Sequence, residues 1–341
     1  MASHEADILL CVFGATGQQG GAVLRYFART QEHTSTSVRL RGVTRNRKSD
    51  AARKLADMGV EMVEADLGDV GTIERALVGV THVFATTDSN RTIYSAISKP
   101  EILPQGHSPR SYAYELEIQQ GKNLLQAAAA STTLRVLVWS SLTSPKKWSH
   151  GRYTKVSMWD AKEEIADMLA ADSGIRDKLR ILVLGFFTTN ALAVPELYAP
   201  RKARDGVYEL ALPMSGDTAV PIADLEADTG RWVEALFTQP SGTKLVGATA
   251  LIPWSRWLAY WGEINHVPVR YRRAGAKEFE SKVDGIGDAV LEEFQFIDEY
   301  GFVGSDTKPI YPEQLSQQGP ESQTSDLRKL MSLQDWSPLL H

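Results

Sequence analysis

Short, nearly continuous apolar runs recur through the first half of the chain, at Ile8–Phe13, Val38–Val43, Val60–Val63, His82–Ala85, Val136–Trp139 and Ile181–Leu184. Between several of them the apolar positions move to helical spacing, over Gly21–Ala28, Ala51–Met58, Ile73–Val78, Leu116–Ala130 and Trp159–Ala171. A strand that is apolar at every position leaves no face for water. Alternation of such strands with helices predicts an α/β fold, a doubly wound parallel sheet covered on both faces, over residues 5–185.

After Leu184 the rhythm shortens to "GVYELAL", "DLEADTGRWVEALF", "TKLVGAT" and "PWSRWLAYWGEI", which predict a smaller mixed α/β substrate lobe over residues 186–341. Residues 303–326, rich in Ser, Gln, Pro and Gly, read as an extended strap, and "LRKLMSLQDW" as a short amphipathic element that could dock back. Between the fourth strand and the helix near Tyr114, the stretch Asp88–Ala113 exceeds an ordinary strand-to-helix loop. It is expected to hang over the carboxyl ends of the strands as a lid.

At 341 residues and 43% hydrophobic content the chain can bury a full core. A net charge of −5 argues against direct nucleic-acid binding. No basic leader and no long uncharged apolar window suggest a membrane segment, so a cytoplasmic protein is expected. The single cysteine, Cys11, lies in an apolar run and reads as a small buried hydrophobe; no metal site is expected.

Gly14, Gly17 and Gly20 form GxxGxxG directly after the first strand and at the start of a helix. Glycines there allow a tight turn and a close approach to a pyrophosphate, which the helix N-terminus attracts. The motif, with Thr16, Gln18 and Gln19 between its glycines, predicts a dinucleotide site of Rossmann type. An acid at the end of the second strand would hold the 2′-hydroxyl of NAD. Here that end reads "VTRNRKSD", and Arg45 can clamp a 2′-phosphate, with Lys48 as a weaker second candidate. NADP(H) is therefore the expected cofactor. Asp66 and Leu67 close the third strand, where a side chain would meet the adenine edge; Asp66 could equally cap the following helix. Thr86 and Thr87, after the fourth strand, fall near the ribose and linking phosphates, or serve only as polar loop formers.

The segments "FGATGQQGGAV", "VTRN", "ADLGD", "QQGKNLLQAA", "LVWSSL", "DAKEEI" and "GFFTTN", in that order, resemble the NmrA-like group of atypical short-chain dehydrogenase/reductases. "DTGRWVEALFTQPSGTKLVGAT" and the terminal "LQDW" fit as well, so the similarity covers nearly the whole chain. The resemblance implies a Rossmann fold with a small C-terminal substrate lobe and a preference for NADP(H). It is compatible with both small-molecule reductases and redox sensors without turnover. Phe186 and Asn190 of "GFFTTN" join the expected cofactor contacts.

Typical short-chain reductases use Tyr-x-x-x-Lys on one helix face. Here the helix reads "SMWDAKEEIADML": Lys162 fits, but Met158 stands in place of the tyrosine. Isoflavone-reductase-like proteins resemble this arrangement. Lys162 is thus a candidate for ribose binding or proton transfer, against the alternative of a solvated lysine. The match at Tyr198–Lys202 is interrupted by Pro200 and reads as coincidence. Ser140 and Ser141 follow the fifth strand and could orient a substrate oxygen or simply form a strand-ending turn. Trp148, Tyr153, Met158, Trp159 and Phe187 are candidate pocket walls. Together they predict an NADP(H)-dependent oxidoreductase acting on a small apolar metabolite carrying a carbonyl, enone or imine. Such a pocket could also serve a biosynthetic, redox-neutral rearrangement. The rival is a cofactor-ratio sensor, for which alone a protein partner is expected.

Overall fold

The computed structural model describes residues 8–30, 38–283, 285–315 and 325–340. Its central sheet contains β1 (Ile8–Phe13), β2 (Val38–Thr44), β3 (Glu61–Glu64), β4 (His82–Ala85), β5 (Val136–Ser141) and β6 (Leu179–Leu184). Two further strands, β7 (Phe186–Phe187) and β8 (Arg201–Lys202), follow, then β9 (Tyr208–Leu212), β10 (Ala219–Ala223), β11 (Lys244–Gly247), β12 (Ala250–Pro253) and β13 (Val269–Arg273). The seven-stranded sheet has the order β11-β6-β5-β4-β1-β2-β3, parallel throughout. Chain direction across the sheet reverses between β1 and β4, which opens a crevice outside their carboxyl ends.

Alternation along β1 explains why both faces are apolar. Leu9, Cys11 and Phe13 point into one core with Leu124 and Ile165; Leu10 and Val12 point into the other with Val23, Phe27 and Trp232. Cys11 is fully buried, which pushes its thiol up to about 12, as its expected role as a small hydrophobe requires.

The expected boundary near residue 185 is not a clean division. Strand β11 returns from beyond it to pair with β6, and the helix Leu225–Thr238 packs on the helix Gln18–Thr30. A short apolar strand carries no local mark of the sheet it joins; register with β6 decides that. Two three-stranded sheets, β12-β10-β7 and β13-β9-β8, build the second lobe. Ile310 of the strap bridges to Leu245, and the helix Leu327–Leu333 docks on Trp254–Asn265, with Trp336 edge-on to Trp257. Strap residues 316–324 lie outside the described residues.

The predicted loop Asp88–Ala113 is instead mostly helical, containing Ser89–Ser98, a turn at Pro100–Ile102 and the start of Pro109–Ala130. Asp88 caps the first helix by accepting from the Arg91 N–H, and Ser108 with Ser111 forms a capping box on the second. Ile93 and Ala96, three residues apart, anchor the first helix in the core.

Candidate functional site

The glycine turn is built as its spacing predicts. Gly14 has φ +74°, a conformation that side chains resist, and a Cβ there would also press on Thr86. The Gly17 N–H bonds the Gly14 carbonyl at 2.9 Å, and the helix begins at Gln18. A Cβ on Gly20 would sit 2.4 Å from the Gly14 oxygen, so the helix can lie this close to the turn only with glycine. Thr16, Gly17 and Gln18 are exposed at the mouth of the crevice. This cradle fits a dinucleotide pyrophosphate at a helix N-terminus.

Among the basic residues after β2, contacts separate the structural from the available. Arg41 is engaged by Glu61 and the carbonyls of Ala76 and Val78, and Arg53 by Asp50. Arg45 and Lys48 are exposed, and neither has an ion-pair partner among the described residues. Asp66 does not cap the next helix: its carboxylate accepts from Gly68 at 2.7 Å, while Asp69 caps through Gly71 and Thr72. Asp66 is exposed beside the half-buried Leu67, whose carbonyl is held by Asn123 at 2.8 Å.

A cleft with an empty volume of about 920 Å³, mouth included, opens beside the glycine turn. Its walls bring together Gln19, Ser140, Ser141, Met158, Trp159 and Lys162, and also Phe186, Phe187 and Asn190, nine expected site residues. Met158 and Lys162 lie one helical turn apart, so the position lacking tyrosine does face the cleft. Ser140 donates to Gln19 at 2.7 Å and ties β5 to the glycine turn. Ser141 is less available, since its hydroxyl is directed at the carbonyls of Leu142 and Lys162.

Lys162 is not solvated. It is buried, and its Nζ lies 2.9 Å from each of Thr87 O, Thr87 Oγ1 and Glu117 Oε1. Three acceptors match its three donors. Thr87 and Ser89 in turn donate to the Glu117 carboxylate. Thr87 is therefore a buried support of Lys162 and not an open cofactor contact; Thr86 is the one that abuts Gly14.

Two expected pocket walls lie elsewhere. Trp148 turns its indole N–H to Glu163 at 3.0 Å and packs beside Gly304. Tyr153 donates to Glu299 at 2.7 Å and packs on Phe296 and Tyr300, lining a separate polar hollow with Arg152 and Glu292. Sequence spacing placed both near the cleft but could not show which way the loop between them turns.

Among the cleft residues that escaped the sequence reading are Tyr94, Tyr198, Glu293 and Phe302. Tyr94 comes from the stretch read as a loop. Tyr198 belongs to the motif match at Tyr198–Lys202, which does fail as a catalytic pair, because Lys202 is exposed in β8; the tyrosine alone enters the cleft. Glu293 did leave a signal, since Val290, Glu293 and Ile297 fall at i, i+3 and i+7 on the apolar stripe of one helix.

A family model described as the NmrA-like family matches residues 7–316. The NmrA-like family domain-containing oxidoreductase notA of Aspergillus sp. (strain MF297-2) is 28% identical over 239 residues, 67% of this chain and 63% of its own length. Its counterpart malD of Malbranchea aurantiaca is 27% identical over 273 residues, 78% of this chain and 75% of its own. In fold, the chain is similar to NmrA, a negative transcriptional regulator solved with NADP (TM-score 0.66, 16% identity, covering 96% of this chain and 94% of that one). It is also similar to the NADPH-dependent quinone oxidoreductase QOR2 of Escherichia coli solved with NADPH (TM-score 0.63, 19% identity, 95% and 99% covered). No helix among the described residues is long and apolar enough to cross a membrane.

Proposed function

The chain belongs to the NmrA-like family, and we propose that it is an NADP(H)-dependent oxidoreductase acting on a small apolar molecule with a carbonyl, enone or imine. The observation that carries this reading is continuity: Gln19 of the glycine turn, Lys162 and the aromatic walls Trp159 and Phe186 line one cleft. A dinucleotide on the turn and an apolar substrate against those walls would therefore share one enclosure. NADPH bound there would supply the hydride.

The chain's own residues supply binding and exclusion of water. Backbone at Gly14–Gly17 receives the pyrophosphate, and Arg45 the 2′-phosphate. Lys162 is a positioning group: all three of its donors are engaged, so a ribose oxygen could be taken only in exchange for an acceptor, Thr87 Oγ1 being the uncharged side chain among them. Trp159 and Phe302, edge to face at 5.2 Å, close the inner wall against water. Ser140 and Asn190 are among the neutral polar groups on hand to orient a substrate oxygen or nitrogen. A biosynthetic role, including a redox-neutral rearrangement guided by the shaped pocket, belongs to the same reading.

A second reading, a cofactor-ratio sensor acting through a protein partner, draws on Met158 in the place of a tyrosine acid and on the fully engaged Lys162. The deciding experiment follows NADPH absorbance and product together over a panel of apolar carbonyls, enones and imines. Product formed only with NADPH present supports the oxidoreductase. No product across the panel, with a partner protein whose binding follows the NADPH to NADP ratio, would replace it by the sensor.

A further inference from the structure

The helix Gly287–Tyr300 carries several acids, and its outward ones have partners. Asp288 pairs with Arg110, Glu292 accepts from the backbone N–H groups of Thr154 and Lys155, Asp298 pairs with Arg273 and Glu299 with Arg152. Glu293 differs. It is 6% exposed, lines the cleft, and makes no hydrogen bond or ion pair among the described residues.

The other charged and titratable groups near it do not neutralise it. Lys162, on the same cleft, is committed to Glu117 and Thr87; Glu278 and Arg272, behind the helix, satisfy each other, and Lys282 donates to the Ala211 carbonyl. Lys147, from the short helix packed at the far end, serves Glu163 and Asp167. Tyr198 and, nearer the rim, Tyr94 line the same cleft, and burial, then the Glu293 charge, holds the Tyr198 phenol well above its ordinary range. Burial likewise pushes the Glu293 carboxyl up to about 8, so it is the neutral acid at pH 7 without a ligand.

Around this carboxyl the cleft is aromatic, with Tyr94, Trp159, Phe186, Tyr198 and Phe302 among its walls. Aromatic faces attract a cation, and a desolvated carboxylate binds one through a charge-assisted hydrogen bond. A neutral hydrocarbon would satisfy the rings but leave the carboxyl without a partner. We propose that the cleft selects an apolar, ring-bearing ligand with a basic nitrogen, an amine or imine, whose protonated form pairs with Glu293. The proposal rests on the cleft being the substrate site and narrows the substrate class. In the exchange, the N–H of the entering cation is retained, Glu293 gives up its proton to solvent, and a carboxylate–ammonium pair forms.

The test is calorimetric titration at pH 7 in buffers of different ionisation enthalpy. The probes are N,N-dimethyl-2-(2-naphthyl)ethylamine and its uncharged isostere 2-(3-methylbutyl)naphthalene, each measured against wild type, Glu293→Gln and Glu293→Asp. The ammonium should bind wild type at least about tenfold more tightly than the isostere and release close to one proton. Glu293→Gln should abolish both the preference and the release, and Glu293→Asp should keep part of each. Unchanged NADPH affinity in both variants would show them folded. Equal binding of the two probes, failure of the ammonium to bind, or proton release that survives in Glu293→Gln overturns the proposal. Failure of wild type to bind NADPH would overturn the oxidoreductase reading instead, leaving the ammonium result to be judged on its own.

Discussion

Lys162 Nζ lies 2.9 Å from Glu117 Oε1, and both side chains are buried. The pair joins the helix Ser157–Ala171 to Pro109–Ala130 beneath the cleft. Its loss should therefore register in stability as well as in cofactor binding. Lys162→Met leaves a buried carboxylate uncompensated and should cost about 3–5 kcal/mol. Lys162→Met with Glu117→Gln removes both charges and should regain most of that loss without restoring NADPH affinity. Urea unfolding beside NADPH titration reads the two effects separately; an undiminished stability in the single variant would refute the pairing.

Arg45 is exposed and has no ion-pair partner among the described residues, so its guanidinium is available to a 2′-phosphate. NADPH should bind at least about tenfold more tightly than NADH, or roughly 1.4 kcal/mol. Arg45→Glu should erase or invert that ratio, with little change in unfolding midpoint because no internal contact is lost. Equal wild-type affinities for the two cofactors would remove Arg45 from the site.

Gly20→Ala places a methyl 2.4 Å from the Gly14 oxygen, a backbone atom that cannot swing aside. The helix must back away from the turn, at a cost of about 1–3 kcal/mol. Since the proposed function seats the pyrophosphate on the same turn, NADPH affinity should fall in parallel. A variant with wild-type unfolding and wild-type NADPH binding would show that the close approach is not needed.

His82, 7% exposed and 4.6 Å from the Phe237 ring, is lowered to about 4, first by burial and then by Arg135 and Arg180. In the unfolded chain it titrates near 6.5, so between about 6.5 and 4 the unfolded state binds the extra proton. Its contribution is present above pH 6.5 and is lost as pH falls, by on the order of 3 kcal/mol. Glu293 has the opposite sign: raised to about 8, it stabilises below its unfolded value near 4.5, and that stability is lost as pH rises through 8. Unfolding measured from pH 4.5 to 9 should show His82→Gln flattening the acid limb and Glu293→Gln the alkaline one. A variant whose limb keeps the wild-type slope would acquit its residue.

Local chemistry made the glycine turn of the proposed cofactor site legible in the sequence. A strand running into GxxGxxG has few conformations open to it, and the glycines are forced by turn geometry within seven residues. The absence of an acid at the end of β2 was equally local, as was the Met158 and Lys162 face of one helix. Periodicity also fixed the parallel sheet, because strands buried on both faces leave a continuous apolar trace. What the sequence left open depends on meetings across long stretches of chain. Glu117 finds Lys162 across 45 positions, β11 finds β6, and Glu293 reaches a cleft whose other walls begin at Gln19. Trp148 and Tyr153 were as aromatic and as near in sequence as Trp159, yet Glu163 and Glu299 hold them outside the cleft. An apolar or charged side chain states only that it needs a partner; packing of the whole molecule decides which one it gets.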